Sequence, residues 1–91
     1  MEIIKLLGNA LAEKISVSSP AGRGLIKLAI KDELGPFKPL NQLEFIDFKN
    51  TIVNSLKKRL EKLEISSVSE IIDLLLDKLT QNQSLITIGI V

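Results

Sequence analysis

The chain contains no cysteine, histidine, tryptophan or tyrosine. Without cysteine there can be no disulfide framework, no thiolate nucleophile and no thiolate metal site. Without histidine, the commonest transition-metal ligand and the usual general base are missing as well. A nucleophilic serine would have no imidazole beside it, and no Ser–Lys motif surrounds Ser18 or Ser19. The expectation is a chain that is not an enzyme and has no catalytic residue, no cofactor and no metal. Charge of one sign is also lacking: the net charge is +1, so no overall field draws nucleic acid or an acidic substrate. No apolar run reaches the roughly 18 residues of a membrane span. The N-terminus alternates charged and apolar residues, unlike a signal or transit peptide. A soluble, cytoplasmic protein with no membrane partner is expected.

What is present is apolar material in periodic order. Of the 91 residues, 45% are hydrophobic, enough for the core of one domain over 1–91. A chain this short buries only about two-thirds of its unfolded surface, so self-association would add burial. The longest periodic stretch is Asn41 to Ile65. Phe45, Phe48, Ile52, Leu56, Leu60 and Leu63 recur at steps of three or four, widened by Leu43, Ile46 and Val53. Acid early and base late suit the helix dipole. At about 1.5 Å per residue this helix approaches roughly 35 Å and would touch every other element.

Ahead of it, Glu2 to Ile15 reads as an amphipathic helix with Ile3, Ile4, Leu7, Leu11 and Ile15 on one face, weakened by Gly8. It serves as a core helix or as a surface helix that docks on a partner or a membrane. The stretch Ser16 to Gly24 is a turn that opens a helix, with Ser19 as N-cap and Pro20 in the first turn, or with a start nearer Gly24. Ser18, Ser19, Arg23 and Gly24 supply hydroxyls, a cation and a flexible backbone near a helix N-terminus. These are the parts of an anion or small-ligand pocket, although no P-loop pattern accompanies them. The alternative is a capped turn with a solvated or carboxylate-paired arginine. The helix then runs from Leu25 to Leu34, with Leu25, Ile26, Leu28, Ala29, Ile30 and Leu34 on a wide buried arc. Gly35 and Pro36 stop it. In the connector Pro36 to Leu40, Phe37 is expected to be pinned to the core.

Lys57, Lys58, Arg59 and Lys62 form a basic run that can rest on nucleic-acid phosphates or line a solvated helix end. Glu61 and Glu64 dilute it, and no aromatic stands near to stack on bases, so nucleic acid is not the expected partner. A ribbon-helix-helix dimer is the DNA-binding alternative, but the segment before Ser66 reads better as one helix than as strand plus helix. Ser67 and Glu70 match a capping box opening a helix from Val68 to Thr80. This helix is apolar around most of its circumference, so Leu75, Leu76 and Leu79 belong to a bundle centre or to a subunit interface. Glu70, Asp73 and Asp77 share a face, either as a wet stripe or as ligands for a hard cation. Finally, Leu85 to Val91 alternates Ile86, Ile88 and Ile90 with Thr87 and Gly89, as a β-strand does. Such a strand would pair with Ile15 to Ser18, with its twin in a homodimer, or with another protein's sheet edge.

The words GRGLIKLAIKDELG, NSLKKRLEKL and NQSLITIGIV resemble the small helical output domains of archaeal signal-transduction proteins, the Nitrosopumilus output domain type. The resemblance covers Ser18 to Val91, with Gly22 to Gly24, Lys31, Asp32 and Gln83 to Thr87 as its markers, and implies a cytoplasmic signalling adaptor. The expected architecture is mainly α: a bundle of about four helices (an N-terminal helix over 1–16, a helical core over 18–80) and a strand-like tail over 84–91. The expected function is a self-associating interaction or regulatory module that reaches a protein partner through the tail or the N-terminal helix. Its rivals are an anion-binding domain and a small DNA-binding dimer.

Overall fold

The computed structural model describes residues 1–90, with side chains described through Ile86. α1 (Glu2–Ile15) turns Ile3, Ile4, Leu7 and Leu11 into the core. It ends where Ser16 adopts a left-handed conformation (φ 60°) and where the N–H groups of Ser16 and Val17 both donate to the Ala12 carbonyl. α2 (Ser19–Leu34) begins one residue earlier than its serine and proline suggest. Ser18 is the N-cap, with its Oγ accepting from the Ala21 N–H at 3.2 Å. Gly35 closes it as expected, at φ 88°, with its N–H on the Lys31 carbonyl.

α1 and α2 cross with their backbones nearly touching. A Cβ on Gly22 would lie 2.2 Å from the Gly8 carbonyl oxygen and 2.7 Å from Ala12 Cβ, and one on Gly8 would meet the Arg23 backbone. Gly8 therefore does more than weaken a helix: it lets the neighbouring helix approach.

After a 3-10 turn (Leu40–Gln42), Leu43 plugs the core in an extended conformation. The long helix then starts at Phe45 rather than Asn41, because Asp47 reaches back to accept from the Glu44 N–H at 2.9 Å and sets the N-terminus there. It runs unbroken through α3 (Phe45–Asn50), a π segment (Thr51–Leu56) and α4 (Lys57–Lys62). An α-helix drifts by about 40° at each step of four residues. The wider π turns cancel part of that drift, so Phe48, Ile52, Leu56 and Leu60 all stay in the core. Ile46 and Leu63, expected on the same stripe, are instead 50% and 55% exposed. Thr51 is buried at the start of the π segment, and its hydroxyl donates to the Asp47 carbonyl at 2.7 Å, a local bond that competes with the regular helix ladder.

A second left-handed residue, Glu64 (φ 58°), closes the long helix, with the Ile65 N–H on the Leu60 carbonyl. α5 (Val68–Gln81) follows a third, Ser67 (φ 59°). That conformation turns the Ser67 side chain away from the helix, so no capping bond forms despite the S-x-x-E pattern. The tail corrects the sequence reading. Gln83–Ile90 is a helix, α6, and not a strand. The Ile15 to Ser18 edge it could have joined is a helix end, and a lone strand would leave its ladder unpaired. As a helix, the segment satisfies its own backbone and puts Ile86 into the core. Val91 lies outside the described residues.

Among the described residues the architecture is all helix, wrapped around one core to which α1, α2, the long helix, α5 and α6 all contribute. The fold measures 37 × 25 × 21 Å. No described helix is long and apolar enough to cross a membrane.

Candidate functional site

The turn expected to hold an anion does not gather its parts. Ser18 and Ser19 are exposed, and the Ser18 hydroxyl is spent on the α2 cap. Arg23 lies further along α2 on the side facing α1, where its stem passes over Gly8. Gly24 looks into open space, with nothing beyond its own turn of helix within 4 Å of where a Cβ would sit.

The basic run is divided. Lys57 lines a hollow against α5 with Ile72, Asp73 and Leu76, whereas Lys58, Arg59 and Lys62 line another against α2. There the Asp32 carboxylate receives both Arg59 Nε (2.5 Å) and Nη2 (3.1 Å), and Glu33 accepts from the Ser55 hydroxyl at 2.8 Å. The Arg59 hydrogen bond holds the Asp32 carboxyl below its ordinary range; partial desolvation opposes this, and the charges of Arg59 and Lys62 reinforce it. The same bond raises the Arg59 guanidinium. Arg59 is therefore a tie between the long helix and α2, and the Nε–Nη2 edge of its guanidinium is already taken by Asp32.

Leu75 and Leu79 are fully buried within one chain, Ile86 nearly so, and Leu76 is half-buried. Ile88 and Ile90, the remaining candidate assembly residues, have side chains outside the described ones. Glu70 and Asp73 line separate hollows, and no cluster of three or more carboxylates suited to a metal occurs among the described residues.

A different surface stands out. A hollow of about 240 Å³ lies between the C-terminal half of α2 and the loop that follows. Ile30, Pro36 and Leu40 line it, with Leu28 alongside and Lys27, Lys31 and Lys38 at its polar edge. Leu28 is 43% exposed, Leu40 37% and Phe37 93%. Phe37 thus corrects the expectation that it is pinned to the core. The loop is held open between the Gly35 turn and the 3-10 turn, both hydrogen-bonded, and Leu43 takes the core position instead. The signal was present in α2. Ile26, Ala29 and Ile30 define its buried side, and Leu28, two residues from both isoleucines, must point away from it. The wide arc read from the sequence merged two faces.

Compared with protein-family models, curated proteins and solved structures, the chain matches none.

Proposed function

We propose that this chain is a non-enzymatic protein-interaction module that docks a partner at the hollow between α2 and the 36–40 loop. It would serve as a regulatory or output adaptor of the kind its sequence resembles. The observation that carries this reading is a preformed hollow flanked by the exposed Leu28 and Leu40, with the almost fully exposed Phe37 on the loop that forms its other wall. Phe37 at 93% exposure contributes nothing to the core, so its place on a short loop between prolines is better accounted for by contact with another molecule.

The homodimer and the cytoplasmic setting expected from the sequence belong to the same proposal. Leu75 and Leu79 are used within the monomer, so a dimer would form through exposed residues elsewhere on the fold.

The test is a displayed-peptide selection on the full chain, counter-selected on a Leu28→Ser/Phe37→Ser variant. Both substitutions lie at exposed positions, so the variant should keep its circular dichroism spectrum and its Tm. Peptides that bind the parent chain and lose the variant support the proposal. Selected peptides that bind both equally overturn it.

A further inference from the structure

Resting on that reading, we infer that the occupant of the hollow is an acidic amphipathic helix of another protein. Arg23, Lys27 and Lys31 recur every four residues along α2, so their charges line one side of the helix over about 12 Å. A second hollow, of about 290 Å³, is lined by Ile4, Lys5, Arg23 and Lys27, and it meets the first at Lys27. One edge of the molecule thus carries Lys5, Arg23, Lys27, Lys31 and Lys38 in sequence. Among the residues lining the two hollows, Glu2 is the single carboxylate.

The acids of α2 are turned elsewhere. Asp32 holds Arg59 and Glu33 holds Ser55, both across the opposite seam. Asp32–Arg59 is the ion pair among the described residues, so none of the five cations of this edge is held in one there, and Glu2 is the one carboxylate set against the five in the lining of the two hollows. A run of unpaired like charges beside an apolar hollow is complementary to a segment that carries carboxylates along one stripe and apolar side chains along the next. A helix provides both at steps of three and four residues, the spacing α2 itself presents. The aliphatic lining argues for a protein side chain over a nucleic acid: Leu28, Ile30 and Leu40 offer methyl groups where a base would want an aromatic face.

The experiment uses three synthetic helical peptides with identical leucine stripes and a polar face made entirely of Glu, Gln or Lys. Each is titrated into the ¹⁵N-labelled full chain and followed by amide chemical shifts. The acidic peptide is expected to perturb the amides of Leu28, Lys31, Phe37, Lys38 and Leu40 and to bind at least about tenfold tighter than the Gln peptide, with affinity falling as salt rises toward about 0.3 M. In a Lys27→Glu/Lys31→Glu variant, the preference should pass to the Lys peptide. Equal binding of the Glu and Gln peptides at the hollow would overturn the acidic partner while leaving the interaction module standing. No perturbation of the hollow by any peptide would sink both readings. Stronger perturbation of the same residues by duplex DNA, by phosphatidylserine vesicles or by raising the concentration of the chain itself would reassign the surface to nucleic acid, membrane or a second copy, and overturn the inference.

Discussion

Gly22 and Gly24 stand two residues apart on α2 and do opposite things. Gly22 sits where the α1 backbone presses closest, so a methyl group there must push two helices apart. Gly24 faces open space inside a helix, where glycine only adds freedom to the unfolded chain. Gly22→Ala is expected to lower the unfolding free energy by about 1–3 kcal/mol or more. Gly24→Ala should raise it by about 0.5–1 kcal/mol. Urea denaturation of the two variants measures both, and equal shifts would mean the crossing is not as close as it is drawn. At the same scale, Asp32 gives a pH dependence whose sign follows from its lowered pKa. The folded state binds this proton less readily than the unfolded state. The contribution is therefore complete above the ordinary value of 3.8 and is lost as pH falls through the lower folded value. The stability difference between the parent and Asp32→Asn should be constant above about pH 5 and should close in strong acid. Because the pair is exposed, salt should shrink it throughout. Thermal melts against pH and salt check this, and a gap that widens in acid would contradict it.

At the scale of elements, the stops were legible only where glycine marked them. Gly35 followed by Pro36 announces the end of α2 in the sequence and delivers it in the structure. α1 and the long helix end by a different device, an N–H bonded five residues back (Val17 to Ala12, Ile65 to Leu60), with Ser16 and Glu64 in the left-handed position, where a Cβ costs about 1–2 kcal/mol. Nothing in a serine or a glutamate signals that role. Ser16→Gly and Glu64→Gly are each expected to stabilise the fold by up to about 1 kcal/mol, read as a rise in Tm. A fall in Tm at either site would mean that its side chain makes a contact that outweighs the strain. The tail shows the limit of local periodicity. Alternating isoleucines read as a strand, yet over so short a segment the pattern does not by itself separate a strand from a buried helix. The absence of a strand partner and the presence of an open core position for Ile86 decided the matter.

At the scale of the whole molecule, the mainly helical bundle was legible because each helix carried its own apolar stripe, and those stripes converge on one core. What α5 does with its excess of leucines depended on its neighbours. Leu75→Ala is expected to cost about 2–5 kcal/mol, whereas Leu76→Ala should cost much less. The loss in Tm of the Leu75→Ala variant relative to the parent should not depend on protein concentration. A concentration-dependent loss, with light scattering showing a dimer in the parent chain, would restore Leu75 to a subunit interface. The sequence by itself determined the helical class, the lack of thiol and imidazole chemistry and the single core, because helix periodicity and composition are local properties of the chain. The tertiary structure alone decided that Phe37 stays outside, that the tail is a helix and that Arg59 is tied down while Lys27 and Lys31 are not. Each of those outcomes depends on which element lies across from the residue, and that is settled only when the helices pack.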